Sequence, residues 1–204
     1  MTKGAQALQR LREGNERFAS EATTGATFLR RMGRAKTVYQ QEPFAVILGC
    51  SDSRVPVEIV FDQDLGDLFV IRVAGNVVAP SQLGSVEYAA ELIGARLVVV
   101  LGHTHCGAIL GTLERLRRPA AALSPHTRFI ADLIKPAVAG LLAPELGYDR
   151  STLIRESVRA NVRQSVEQLR NGSRIIERLV AEDGLLVVGA EYSLETGRVE
   201  FLDD

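Results

Sequence analysis

Two stretches of sequence decide the fold of this chain: FAVILGCSDSR at residues 44–54 and LVVVLGHTHCGA at residues 97–108. In each, apolar residues occupy successive positions instead of alternating with polar ones, which is typical of a strand covered on both faces of a parallel sheet. Each apolar run leads into a loop that contains cysteine together with acidic, basic or imidazole side chains. Because ligands bind beyond the carboxyl ends of strands in open α/β sheets, the two loops predict a functional site.

Further strands and helices are predicted outward from these two runs. Strand character recurs at residues 68–73, 185–190 and 198–202, and helical periodicity lies between the strands at 85–93, 108–116 and 153–169. Ser173 is a capping residue for a last helix through Ala181. This alternation predicts an α/β fold with a mainly parallel central sheet flanked by helices. The Thr196-Gly197 turn makes the last strand an antiparallel edge.

The N-terminal segment has an apolar stripe that predicts a helix: Leu8, Leu11, Asn15 and Phe18 lie three or four residues apart, although Gly14 weakens the pattern. We expect the stripe to cover the protein's own core, with a partner subunit as the alternative. Residues 23–41 are predicted to be a solvated loop or short helix. The Ala- and Pro-rich residues 119–150 show no domain boundary, so residues 1–204 are expected to form one domain, with a helical arm at 1–40 and an α/β core at 41–204.

Charge and hydropathy exclude several classes of function. The 204 residues include 24 Lys and Arg against 25 Asp and Glu, so the chain lacks the excess of positive charge that a nucleic-acid-binding protein needs. No apolar run approaches the roughly 18 residues needed to span a bilayer. The N-terminal residues are charged throughout and lack the apolar segment of a signal peptide. We therefore expect a cytoplasmic protein that binds neither nucleic acid nor membrane.

The cysteines and histidines of the two loops have the composition of a metal site. Neighbouring strands lie about 4.8 Å apart, so Cys50, His103 and Cys106 can reach one ion if their strands are adjacent. Two thiolates and one imidazole suit zinc, and three protein ligands leave the open position of a catalytic site. We therefore predict one Zn²⁺ per chain, although cobalt or iron can use the same ligands. The alternative is a pair of buried thiols with two structural histidines. Spacing from Cys106 favours His103 over His105, which we place at the surface or beside the ligands.

The motifs CSDSRV and GHTHCGA together resemble those of the β-class carbonic anhydrases. The resemblance extends through GDLFVIRVAGN at 66–76, LGSVEYA at 83–89 and TGRVEFL at 196–202. It implies that Cys50, His103 and Cys106 are the zinc ligands and that Asp52 and Arg54 are a catalytic pair. The implied reaction is the reversible hydration of CO₂ to bicarbonate and a proton, by attack of zinc-bound hydroxide on the carbon.

The chemistry of the Asp52–Arg54 pair can be argued from the ligands. Two thiolates cancel the formal charge of Zn²⁺, so the ion acidifies its water less than a zinc held by three imidazoles. Asp52 can orient the nucleophile while Arg54 holds the carboxylate. Were Cys50 absent, an ordinary ion pair would be the simpler interpretation. One regulatory subgroup of the family has a tryptophan where this chain has Ile47, so we hypothesise an open resting site in which Asp52 is not a zinc ligand.

The resemblance also implies a substrate pocket. It places Gln41 as a hydrogen-bond donor to CO₂, and Phe69 and Tyr88 on an apolar wall to which a second subunit contributes. A homodimer or a dimer of dimers follows from that implication. The alternative interpretations are a polar loop residue for Gln41 and core aromatic residues for Phe69 and Tyr88.

Two other functions stay open at the level of sequence. A hydrolase of carbonyl sulfide or carbon disulfide would use the same zinc site, because those substrates are also linear and apolar. A non-catalytic zinc or redox-sensing protein is the second alternative. The Asp52–Arg54 pair argues against the sensor, since a purely structural zinc has no use for a carboxylate that orients water.

Overall fold

A computed structural model of the chain describes residues 2–21, 41–118 and 124–202. Its sheet has the strand order β2-β1-β3-β4-β5. The strands are β1 (Ala45–Gly49), β2 (Leu68–Arg72), β3 (Leu97–His103), β4 (Leu186–Tyr192) and β5 (Val199–Leu202). The first four run parallel, and β5 is antiparallel to β4. Every residue of β1 and β3 is buried, which confirms the prediction of strands covered on both faces.

Helices pack on both faces of this sheet. They are α1 (Lys3–Ala19), α2 (Val57–Val60), α3 (Pro80–Glu87), α4 (Gly107–Arg117), α5 (Pro125–Val138), α6 (Arg150–Asn171) and α7 (Arg174–Glu182). A π-helical segment, Tyr88–Ile93, continues α3. Ser173 caps α7 as predicted, by accepting a hydrogen bond from the Ile176 amide. Among the described helices, none is both long and apolar enough to cross a bilayer.

Helix α1 lies on the protein's own core, as expected. Leu11 is fully buried in a cluster with β1 and β3. The helix continues through Gly14. Glycine is required at this position because the helix lies against the backbone of Phe61, and a Cβ atom would collide with the Phe61 carbonyl oxygen. The Asn15 side chain donates to the carbonyl oxygens of Val60 and Gly197, at 3.1 and 2.9 Å, and accepts from the Val199 amide.

Several element boundaries differ from those read from the sequence. Helix α5 lies within residues 119–150, where the four prolines hid its periodicity. Pro125 occupies the first turn, where a missing amide costs nothing, and Ser124 caps the helix by accepting from the Thr127 amide. Strand β3 extends two residues beyond the predicted end, to His103. The predictions for residues 23–40 lie outside the described residues.

Candidate metal centre

The three predicted ligands converge at the carboxyl ends of two neighbouring strands. Cys50 directly follows β1, His103 is the last residue of β3, and Cys106 is the N-cap of α4. Strands β1 and β3 are paired in parallel, with Gly49 opposite Leu101, so both loops leave the same edge of the sheet. The two sulfur atoms and an imidazole nitrogen all lie within 4.8 Å of one another. All three side chains are buried, Cys50 the most exposed at 5%.

This donor set fits a zinc ion. The His103 Nδ1 atom lies 2.9 Å from the Thr104 carbonyl oxygen, which orients the ring. Among the described residues, the buried Nε2 atom has no hydrogen-bond partner, and it faces the two free thiols. A buried nitrogen without a partner is costly unless a metal or a proton satisfies it. One imidazole and two sulfurs are ligands that zinc prefers, and a backbone carbonyl is a common support for a metal-binding imidazole.

The electrostatics of the cluster also favour a cation. Interaction with the Cys106 thiol lowers the pKa of Cys50 to about 4, although burial acts in the opposite direction. The Cys50 thiolate and burial together raise the pKa of Cys106 well above its ordinary value. Burial works against a charged His103, but the Cys50 sulfur, the Thr104 carbonyl and the Asp52 carboxylate together raise the pKa of the imidazole. An ionised Cys50 thus opposes ionisation of Cys106, and a cation bound between the two sulfurs would relieve that opposition.

Asp52 lies beside this cluster and is held by Arg54. The guanidinium donates from Nε to Oδ1 at 3.0 Å and from Nη2 to Oδ2 at 2.8 Å, and the Arg54 amide donates to Oδ1 at 2.9 Å. The arginine holds the pKa of the Asp52 carboxyl well below its usual range. Asp52 Oδ2 is 3.8 Å from His103 Nε2. The carboxylate thus borders the predicted metal position while both its oxygens are engaged by Arg54.

The loop that carries Cys50 and Asp52 is supported by Arg72, a residue that sequence reasoning did not identify. Arg72 ends β2, and its guanidinium donates to the carbonyl oxygens of Cys50 and Asp52, at 3.0 and 2.6 Å. The register of the sheet explains this contact, because Arg72 lies opposite Gly49 on the neighbouring strand. An arginine at the end of a strand in FVIR was the available signal, but its target depended on the strand order.

A second support comes from the turn after β2. The Gly75 amide donates to the Cys50 sulfur at 3.4 Å, and Gly75 has φ +68°. Helix α6 holds this turn, because Asn161 donates to the Gly75 carbonyl oxygen at 2.8 Å and Ser165 to the Asn76 carbonyl oxygen at 3.1 Å. The glycine and asparagine of Ala-Gly-Asn were the available signal for this turn, but they do not reveal its contact with the cysteine.

His105 is at the surface and is not part of the ligand cluster. Its side chain is 61% exposed, and its Nε2 atom lies 2.6 Å from Glu195 Oε1. Thr104 donates to the other Glu195 oxygen, and the Thr104 hydrogen bond is the largest cause that lowers the pKa of Glu195 to about 2. Glu195, which the sequence did not single out, thereby ties the loop after β3 to the turn before β5.

The predicted substrate residues are exposed to different degrees. The rings of Phe69 and Tyr88 lie together, with centroids 6.2 Å apart. Phe69 is partly buried on edge strand β2, and Tyr88 is 49% exposed. Gln41 is exposed on the segment before β1. No described contact joins these three residues to Cys50, His103 or Cys106, so their role stays a prediction.

A parallel α/β sheet with a buried Cys-His-Cys cluster and an adjoining Asp-Arg pair defines a class of zinc enzyme. The family profile described as carbonic anhydrase matches residues 45–199. A carbonic anhydrase of Mycolicibacterium smegmatis is 39% identical over 95% of this chain and 91% of its own length. Carbonic anhydrase 2 of Mycobacterium tuberculosis is 37% identical over 99% of this chain and 94% of its own length.

Solved structures agree with the sequence relatives. A tetrameric β-carbonic anhydrase of Sordaria macrospora superposes with a TM-score of 0.76 at 26% identity, over 88% of this chain and 90% of that one. The Coccomyxa β-carbonic anhydrase, solved in complex with acetazolamide, superposes with a TM-score of 0.71 at 28% identity, over 93% of this chain and 83% of that one. This chain belongs to the β-carbonic anhydrase family.

Proposed function

We propose that this chain catalyses the reversible hydration of CO₂ to bicarbonate and a proton, with one zinc ion held by Cys50, His103 and Cys106. The observation that carries the proposal is the convergence of these three buried side chains beside a carboxylate that Arg54 already engages. Membership of the carbonic anhydrase family supports the same activity.

Asp52 is proposed to orient the nucleophile. Zinc, when bound, would lower the pKa of its water and so supply hydroxide, although less strongly than a zinc held by three imidazoles. The Asp52 carboxylate accepts a hydrogen bond from the nucleophilic oxygen, which turns a lone pair of that oxygen toward the substrate carbon. Arg54 keeps the carboxylate ionised and directed by its two hydrogen bonds. Because Arg54 occupies both oxygens, the arrangement supports the hypothesis of an open resting site.

Phe69, Tyr88 and Gln41 are proposed to bind CO₂. An apolar surface suits a small apolar substrate, and one amide donor suffices to orient its oxygen. The half-exposed Tyr88 supports a pocket that a second copy of the chain completes, and hence a homodimer or a dimer of dimers. The Sordaria macrospora relative is described as tetrameric. The cytoplasmic location stays a prediction.

The first experiment is stopped-flow CO₂ hydration across pH on the wild type and Asp52→Ala, with zinc content measured on the same samples. We expect fast hydration that depends on zinc in the wild type. Asp52→Ala should lose about 10²-fold or more in kcat while it retains zinc, because removal of a positioned polar group at a reacting centre has that cost. Glu145→Ala is the matched control, since Glu145 is an exposed carboxylate outside the site.

Absence of hydration at every pH in a protein with one zinc per chain would contradict the proposal. If that protein hydrolysed carbonyl sulfide or carbon disulfide, its function would be the hydrolysis of those sulfur compounds. Loss of zinc on mild oxidation, with no turnover of any of these substrates, would favour the sensor. An Asp52→Ala variant that hydrates CO₂ as fast as Glu145→Ala would remove Asp52 from the mechanism.

A further inference from the structure

A basic groove lies between the C-terminal half of α4 and the start of α6. Its volume is about 570 Å³. Its wall carries four arginines, and its floor includes two buried leucines. We call this feature the arginine groove, and define it by Arg115, Arg117, Arg118, Arg150, Leu113 and Leu153.

The positive charge of the arginine groove is poorly neutralised. Glu114 is the one carboxylate among the described residues that line it. Within the described part of the chain, Arg117, Arg118 and Arg150 form no ion pair. The nearest carboxylate oxygen to Arg115 belongs to Asp132 at 3.9 Å. The buried Arg115 Nη1 atom has no hydrogen-bond partner among the described residues.

Helix electrostatics account for only part of this cluster. Arg115 and Arg117 occupy the last turn of α4, where the helix dipole favours cations. Arg150 is the first residue of α6, where the dipole disfavours a cation. The adjacent N-cap carboxylate of Asp149 accepts hydrogen bonds from the Thr152 amide and the Ser151 hydroxyl. Repulsion between four guanidinium groups around one groove is therefore a cost that an anion would remove.

We propose that the arginine groove binds a small phosphate ester whose organic part is apolar. Guanidinium groups match phosphate oxygens with paired hydrogen bonds, and the exposed Arg117, Arg118 and Arg150 are available for them. Leu110 and Ile154, which also line the groove and are only half-buried, provide apolar contact for the organic part. The volume lies within the range of small-molecule sites, roughly 300–1,000 Å³. A lone carboxylate or bicarbonate would leave most of these donors unused.

The arginine groove is distinct from the metal centre. Helix α4 begins next to Cys106 and ends at Arg117, and its eleven residues span roughly 16 Å. Arg117 and Arg118 lie at the far end of that span. Binding at the groove is therefore separable from anion binding to the metal by substitution of these two arginines. The inference does not depend on the proposed reaction.

The test is calorimetric titration of the zinc-loaded protein with phenyl phosphate, and with inorganic phosphate for comparison. The groove variant is Arg117→Gln/Arg118→Gln. The control variant, Arg163→Gln/Arg174→Gln, removes the same charge from two exposed arginines outside the groove. We expect phenyl phosphate to bind the wild type more tightly than inorganic phosphate. The groove variant should weaken the Kd at least tenfold and the control less than twofold, with CO₂ hydration unchanged in both.

Four results would overturn the proposal. Equal weakening in both variants would mean attraction by overall charge alone. Unchanged affinity in the groove variant would place the phosphate elsewhere, for example at the metal. Binding to phosphatidylglycerol vesicles without binding of phenyl phosphate would make a lipid surface the source of the phosphate. A change of mass of the groove variant in sedimentation would make the groove a contact between copies of the chain.

Discussion

The metal centre and the predicted substrate wall differ in how much of each one chain provides. Cys50, His103 and Cys106 are at most 5% exposed, whereas Tyr88 is 49% exposed. The ligands lie at the ends of two central strands, while Phe69 lies on β2 at the edge of the sheet. A buried centre is fixed by its own neighbours, but a half-exposed wall is fixed only by what covers it. We therefore propose that one chain provides the chemical part of the site, while the substrate wall requires a second copy of the chain.

The largest effect on activity should come from removing a ligand of the buried metal centre. His103→Ala removes a ligand and leaves two thiols, so we expect loss of zinc and a fall of CO₂ hydration to background. His126→Ala is the matched control, because His126 is an exposed histidine on α5. Metal analysis and circular dichroism on the same samples would separate loss of zinc from loss of fold. A folded His103→Ala protein that keeps one zinc per chain would show that the ligand set is wrong.

A smaller effect should come from the turn that supports Cys50. Gly75→Ala places a side chain at φ +68° and a Cβ 2.8 Å from Ile134 Cδ1. Left-handed strain and overpacking together should lower the free energy of unfolding by about 2–4 kcal/mol in urea denaturation. Ile134→Val removes that Cδ1 atom. The double variant should therefore be less destabilised than the sum of the two single variants.

Gly111→Ala provides the comparison for that measurement. Gly111 lies within α4, and no atom lies within 4 Å of an added Cβ. The substitution should stabilise the protein by about 0.4–1 kcal/mol. If Gly75→Ala behaved like Gly111→Ala, the turn at residue 75 would impose neither the backbone strain nor the crowding against Ile134 described above.

The smallest effect on activity should come from a substitution in the exposed, predicted substrate wall. Tyr88→Ala should raise KM and lower kcat/KM by less than about tenfold, with zinc retained, because it removes contact area and no group at the reacting atoms. Sedimentation of the same variant would show whether the ring also holds two copies together. A large fall in kcat, with no change in the mass of the assembly, would place Tyr88 at the chemical step. The proposed difference between the metal centre and the substrate wall would then be wrong.

The parts of the fold that the sequence predicted were those governed by local pattern. Continuous apolar runs predicted β1 and β3, and the preference of zinc for thiolate and imidazole ligands predicted the metal cluster at their ends. Helix α5 was missed because Pro125 and Pro136 obscure its pattern, although the first turn tolerates proline. Within the site, Arg72 was missed because its targets lie on another strand's loop. Such contacts depend on strand order and register, which no single segment encodes.

The side chain of Asn15 has a consequence for how the protein is made. It satisfies backbone groups at Val60 and also at Gly197 and Val199, more than 180 positions further along the chain. Contacts at such separation form late, because the intervening chain must be ordered first. Because a chain is synthesised from its amino end, Asn15 is made 182 residues before Gly197, and these hydrogen bonds form only once that turn exists. The apolar face of α1 can pack on β1 and β3 before that point, so it is the Asn15 hydrogen bonds, and not the docking of the helix, that report the arrival of β5 in the sheet.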